Sequence, residues 1–310
     1  MRALGVNTFG GPDAFEVLNL PEPQAGPDEV RIRVHAATVN PTDTLIRAGK
    51  RELPGSPPYV PGMDAAGVID QLGPGTGDRL AVGQRVVALV VPEGTRGAYA
   101  EQIVVPAASV VPAPAGADFA EASTLLMNAM TARLAVDALG LTSGDRIGVT
   151  GAAGAFGGYV VQLAHADGLI VLADAKAEDE ELVRRLGATE VVERGADVAA
   201  RFRKVAPEGV PGLADGAVLD ERVVSAVADG GVVSTVRGWS GPAERGITVR
   251  PVFVRGAATD TGGLSKLVRQ AEEGALTLRV ARVFPADDAA AAHRQLEAGG
   301  VRGRLVLDFS

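Results

Sequence analysis

Two periods of hydrophobic and polar residues divide this chain. Val30-Arg-Ile-Arg-Val-His35 alternates strictly, which places Val30, Ile32 and Val34 on one face and Arg31, Arg33 and His35 on the other. That is the pattern of a half-buried strand with His35 on its solvated side. Further strands are predicted at 66–72, 85–91 and 101–105, each bounded by Gly or Pro. The prolines at 54, 57, 58 and 61 mark a loop. From Asp118 the period lengthens. Asp118 or Ser123 is positioned to cap a helix through Leu139, with Leu125, Ala129, Ala132 and Val136 on one face. Strands and helices then alternate: strand 146–150, helix 155–166, strand 169–174, helix 178–186, strand 189–193. Later strands are expected at 216–219, 231–235 and 247–254, and a helix at 263–273. Another strand, a helix at 287–298 and a strand at 304–309 close the chain. Interleaving of this kind predicts an α/β fold with a doubly wound parallel sheet, whose ligand lies at the carboxyl ends of the strands.

The turn between the first two strands of that alternation carries the candidate chemistry. Gly151, Gly154 and Gly157 stand at three-residue spacing after an apolar strand and before a helix. Such a turn lets the backbone approach a pyrophosphate, and the helix directs its positive end at the same anion. Ala152, Ala153 and Phe156 complete the turn, and Asp174 ends the next strand 20 residues after Gly154, where an acid would meet a ribose hydroxyl.

Composition narrows the options. At 310 residues the chain suggests two domains, and its 46% hydrophobic and 22% charged residues are those of a globular protein. A net charge of −8 argues against nucleic acid or an anionic membrane as partner. The absence of cysteine removes disulfides, thiolate nucleophiles and cysteine-bound zinc, and three scattered histidines make a poor metal site. No signal peptide or membrane-length apolar run is visible, so a cytoplasmic protein is expected. His165 and His293 are expected to be surface or packing residues without partners.

The whole chain resembles the medium-chain dehydrogenase/reductase superfamily and, within it, the zinc-free quinone oxidoreductase branch related to zeta-crystallin. The resemblance rests on Asn40-Pro-Thr-Asp43 with Arg47 and Gly49, Pro61-Gly-Met-Asp-Ala-Ala-Gly67, Val82-Gly-Gln-Arg-Val86 and Gly97-Ala-Tyr-Ala-Glu101. It continues through Asn128-Ala-Met-Thr-Ala132, the turn from Gly151 to Gly158, Leu186-Gly-Ala188 and Gly300-Val-Arg-Gly-Arg-Leu-Val306. It implies a GroES-like catalytic domain from residues 1–118 and 256–310, around a Rossmann dinucleotide-binding domain at 119–255. It also implies a homodimer joined at the last Rossmann strands. Zinc-dependent relatives place ligands where this chain has Asn40, Met63 and Met127, and neither asparagine nor methionine replaces thiolate and imidazole on zinc. A metal-free protein is expected.

The chemistry this implies is hydride transfer from a nicotinamide to a quinone, enone or enal. Asn40 is the candidate catalytic residue, since its amide can donate a hydrogen bond near the nicotinamide or the acceptor carbonyl. Asp43 and Arg47 are expected to tie that loop together. Tyr99 is read as core. The residues divide between the two cofactors, since Asp174 repels a 2′-phosphate whereas Lys176 and Arg194 attract one, and the resemblance implies a slight preference for NADPH over NADH. The other candidate cofactor contacts are Thr131 on the helix beside the turn, Val236, Arg237, Phe253 and Val254 beyond later strands, and Arg304, read as a phosphate contact or a surface charge. Leu45 and Arg51 stand where known relatives have tyrosines. That departure keeps two alternatives open: a cofactor-sensing protein with little turnover, and an enoyl-thioester reductase.

Overall fold

A computed structural model describes residues 1–241 and 244–310. In chain order, a hairpin of β1 (Arg2–Gly5) and β2 (Glu16–Asn19) precedes β3 (Glu29–Thr38), helix α1 (Pro41–Arg47), β4 (Asp64–Leu72), β5 (Arg85–Leu89), β6 (Gln102–Pro106), β7 (Val110–Pro112) and α2 (Phe119–Ser123). Helix α3 (Leu126–Leu139) leads into β8 (Arg146–Thr150), α4 (Ala155–Ala166), β9 (Ile170–Ala175), α5 (Glu180–Arg185) and β10 (Glu190–Glu193). Then follow α6 (Val198–Val205), β11 (Val210–Asp215), α7 (Glu221–Val224), β12 (Val227–Thr235) and β13 (Thr248–Pro251). The chain closes with α8 (Thr261–Glu272), β14 (Val280–Pro285), α9 (Ala289–Ala298) and β15 (Arg304–Asp308). Two compact units result. The first joins Met1–Met127 to Arg255–Glu273 and Leu278–Ser310; the second is Asn128–Val254 with Gly274–Thr277.

The first unit is organised on β3. Its alternation holds as expected, with Val30, Ile32 and Val34 buried in a core shared with Ile69, Val86 and Leu305. β3 pairs antiparallel with β4, β6 and β15, so strands from both ends of the chain meet on it. His35 lies on the opposite face, only half-buried, and stacks on Phe119 with ring centroids 4.4 Å apart.

In the second unit the sheet is wholly parallel in the order β10-β9-β8-β11-β12-β13. Leu172, Phe202, Leu213, Val227 and Val233 pack one side of its core. Strand order reverses between β8 and β11, and a crevice at such a switch point is where α/β sheets bind ligands.

Three expectations are corrected. The strand expected at 216–219 is a turn, and the strand is β11 just before it. Pro211 and Gly212 hide its apolar period, and the pairing slips in register at that place. The single helix expected to Leu139 is α2 and α3 with a break at 124–125. There the Thr124 hydroxyl donates to the Glu121 carbonyl (2.7 Å), a local bond that competes with the helix ladder. Helix α1 was not expected at all; Pro41 in its first turn presets the backbone for it.

Candidate functional site

Strand register assembles the polar cluster of the first unit. Val306 lies opposite Thr38, and Val39 N–H donates to Leu305 O (2.9 Å), so Arg304 is carried on to Asn40. Ala65 lies opposite Ala37, which brings Asp64 to the same end. Arg304 Nη2 donates to Asn40 Oδ1 at 2.8 Å and to Asp64 Oδ2 at 3.1 Å. Asn40 Nδ2 donates to Asp64 Oδ2 at 3.0 Å and to Thr38 O at 3.3 Å. Met127 N–H donates to Asp64 Oδ1 at 2.8 Å. All three side chains are buried, with Asp64 1% and Arg304 4% exposed. Burial pushes the Asp64 carboxyl above the usual carboxylate range, and the charge of Arg304 is the largest influence pulling it back.

This geometry changes the reading of two residues. Asn40 was expected to offer an amide N–H to the acceptor, but both of its N–H bonds face acceptors inside the cluster. Arg304 was expected at a phosphate or on the surface; it is a buried ion-pair partner instead. Among the described residues its Nη1 is a buried donor with no hydrogen-bond partner.

Asp43 joins the two segments that carry the cluster. Its Oδ2 accepts from Asn40 N–H at 2.8 Å, capping α1, and its Oδ1 accepts from Gly62 N–H at 3.0 Å. Asp43 and Arg47, expected to tie that loop together, do so through different partners. Arg47 reaches Glu297 at 2.6 Å and the Gly10 carbonyl at 3.2 Å. His293, expected without partners, is completely buried beside Arg47 and Tyr99. Sequence reading missed Asp64, Glu297 and the role of His293, because their partners lie far along the chain.

The second unit holds the glycine-rich turn at its switch point. Gly151 has φ +69°, a conformation that glycine adopts without strain. A Cβ on Gly157 would stand 2.3 Å from the Gly151 carbonyl oxygen, so α4 meets the turn at backbone contact. Gly154 stands at the amino-terminal cap of α4 and, as glycine, brings no capping side chain of its own. Ala152 and Ala153 are buried, and Phe156 lies against Gly216. Asp174 turns inward, its Oδ1 accepting from Gly151 N–H (2.6 Å) and Ala152 N–H (3.3 Å). Among the described residues its Oδ2 is buried without a hydrogen-bond partner, 3.9 Å from Arg194 Nε. Burial raises the Asp174 carboxyl, and the Arg194 charge is the main force opposing that rise.

The other predicted contacts of this unit gather at the same carboxyl ends. Arg194 follows β10 and is 44% exposed along its side chain; Lys176 follows β9 and pairs with Glu178 at 3.6 Å. Val236 and Arg237 follow β12, and Phe253 and Val254 follow β13, with Phe253 exposed and 3.6 Å from the position a Cβ on Gly238 would take. Thr131 is half-buried on α3. Sequence reading missed Asp215 at the end of β11. Its Oδ1 accepts from Thr150 Oγ1 (2.6 Å), and its Oδ2 accepts from Leu219 N–H (2.7 Å) and Asp220 N–H (2.8 Å). Those bonds hold a loop in which Val218 and Asp220 adopt positive φ (55° and 56°), a costly conformation for both.

Six parallel strands in this order, with a glycine-rich turn at the reversal, define a dinucleotide-binding unit; a β-rich unit drawn from both ends of the chain marks a two-unit dehydrogenase/reductase. Residues 26–115 match the alcohol dehydrogenase GroES-like domain, and residues 186–307 match the zinc-binding dehydrogenase domain. The chain is 32% identical to the NADPH-dependent alkenal/one oxidoreductase, chloroplastic, of Arabidopsis thaliana, over 99% of its own length and 79% of the relative's. It is also 32% identical to the synaptic vesicle membrane protein VAT-1 homolog of Mus musculus, over 68% of its length, and spans about half (52%) of that relative. A crystal structure of an NAD-dependent alcohol dehydrogenase superposes with a TM-score of 0.89 at 31% identity, covering both chains completely. The chain belongs to the medium-chain dehydrogenase/reductase superfamily, in its zinc-free quinone oxidoreductase-like branch.

One matching domain bears zinc in its name, and the residues here do not fit that metal. The cluster offers Asn40, Asp64 and a methionine at 63, and the guanidinium of Arg304 stands 3.1 Å from Asp64 as its counter-ion. A cation beside an amide and a single carboxylate is the wrong donor set for zinc. Among the described residues no three His, Asp or Glu side chains converge, and no helix is long and apolar enough to cross a membrane.

Proposed function

We propose that the protein is an NAD(P)H-dependent reductase that passes hydride to a quinone or an α,β-unsaturated carbonyl, with NADPH preferred. The observation that carries this reading is the glycine-rich turn at the switch point, with α4 opening on a glycine-capped amino terminus suited to a pyrophosphate. The name of the Arabidopsis relative, an NADPH-dependent alkenal/one oxidoreductase, supports the acceptor class. A bound nicotinamide would supply the hydride. Gly154, Ala155 and Phe156 would hold its diphosphate through their backbone. In the first unit Asn40, Asp64 and Arg304 form a buried, charge-balanced cluster whose donor without a hydrogen-bond partner, among the described residues, is Arg304 Nη1. Cytoplasmic location and a homodimer joined at β13 complete the proposal.

Consumption of NADPH should follow addition of a simple quinone, enone or enal. Tight NADPH binding with no oxidation by any of the three would replace this reading with a cofactor sensor.

The preference for NADPH rests on Asp174 and Arg194. Asp174 spends one oxygen on the turn amides, while the exposed Arg194 guanidinium stays within reach of a 2′-phosphate. A charge-assisted hydrogen bond contributes about 1.5–3 kcal/mol. Arg194→Ala should therefore weaken NADPH binding roughly ten- to a hundredfold while leaving NADH within about twofold, read from nicotinamide fluorescence titrations. Equal weakening of both cofactors would remove Arg194 from the phosphate site.

A further inference from the structure

Beside the Asn40 cluster lies a second buried network, drawn from three separate segments of the first unit. Arg47 Nη1 lies 3.4 Å from His293 Nδ1, His293 Nε2 lies 3.1 Å from the Tyr99 hydroxyl, and that hydroxyl lies 3.3 Å from Asp43 Oδ2. Asp43, Tyr99 and His293 are fully buried and Arg47 nearly so. The edge of the His293 ring meets Phe15 at 4.8 Å between centroids.

The donor directions of this chain are fixed by one member. A guanidinium has no acceptor lone pair, so Arg47 donates and His293 Nδ1 must accept. A neutral imidazole then carries its proton on Nε2 and donates to Tyr99. The Tyr99 oxygen, having accepted, turns its own proton to Asp43. Asp43 ends the chain by accepting from Tyr99, Asn40 N–H and Gly62 N–H. Every neighbour of Asp43 is therefore a donor, which suits only its anion.

We infer that His293 is a positioning residue for the Asn40 segment: as a neutral imidazole protonated on Nε2, it aims Tyr99 at Asp43 and so holds Asp43 as the anion that joins Asn40 to the Gly62–Asp64 segment. The inference rests on the reductase reading only for its effect on turnover. The charged and titratable groups facing His293 are Arg47 from α1, with Glu297 of α9 behind it, and Asp43 through Tyr99. Burial first, and Arg47 second, lower the His293 pKa to about 3, so it stays neutral across the working range. Burial pushes Asp43 up to about 7, so protonation competes with the anion near neutrality. A protonated Asp43 would need Tyr99 to accept. Tyr99 would then donate to Nε2, and the imidazole proton would move to Nδ1 against the N–H of Arg47. The tautomer opposes that rearrangement.

Removal of the imidazole should free Tyr99 and let Asp43 titrate. In His293→Leu the fall of kcat on the acid side should begin at a higher pH than in wild type, by about one unit, while the NADPH dissociation constant stays within about twofold of wild type. His293→Gln can accept from Arg47 and donate to Tyr99, and it should restore the wild-type profile. In the unmodified protein, nitrogen NMR should show His293 neutral and protonated on Nε2 from pH 5 to pH 8. A proton on Nδ1, titration within that window, or a His293→Leu profile that matches wild type would each overturn the inference. A wild-type protein that oxidises no NADPH would sink the reductase reading instead, and the NMR result would still decide this one.

Discussion

Arg304→Met should destabilise the protein by about 3–5 kcal/mol, the usual cost of removing one partner from a buried ion pair. Arg304 and Asp64 are 4% and 1% exposed, and the guanidinium is the only full positive charge on that carboxylate among its described hydrogen-bond partners. Methionine fills the space but leaves Asp64 either charged without a counter-ion or protonated at a cost. The same change takes a donor from Asn40 Oδ1. A denaturant titration reads the effect. Asp64→Asn on top of Arg304→Met removes the stranded charge and should recover about half of the loss, because the two sites share one network. A single-variant loss below about 1 kcal/mol would mean that the pair carries no net charge interaction.

Gly157→Val should abolish nucleotide binding, with at least a roughly hundredfold rise in the dissociation constant and little change in overall helix content. The atoms that its Cβ would meet are the carbonyl oxygen of Gly151 at 2.3 Å, its carbon at 2.6 Å and Ala152 Cα at 3.0 Å. All are backbone, so the turn must open, and opening it separates the Gly151 and Ala152 amides from Asp174. Gly154→Ala is the internal control. Its Cβ meets only the Gly151 oxygen, at 3.1 Å, and its φ of −72° suits any residue. Binding there should weaken less than about tenfold. Trp239, which lies in the same unit, supplies the fluorescence signal. Similar losses in both variants would mean that close backbone approach is not what shapes this turn.

The legible parts of the sequence were those governed by local pattern. β3 was readable from six alternating residues, and α4 from the glycines before it; the expected span 155–166 is the observed one. β11 was not readable, since proline and glycine at its second and third positions break the alternation that marks a strand. The glycine-rich turn and Asp174 were found by spacing, but the inward rotation of that carboxylate depends on which amides lie beside it. The Asn40 cluster shows the limit most plainly. Asp64 and Arg304 are 240 positions apart, and only the joint register of β4, β3 and β15 brings them together. His293 failed for the same reason: its partners are 194 and 246 positions away, and nothing local distinguishes it from a surface histidine.

Since the counter-charge at Asp64 is a side chain, that corner of the molecule carries its own balance of charge. The balance depends on a pairing between distant segments, because Arg304 reaches Asn40 and Asp64 only once β15 has docked on β3.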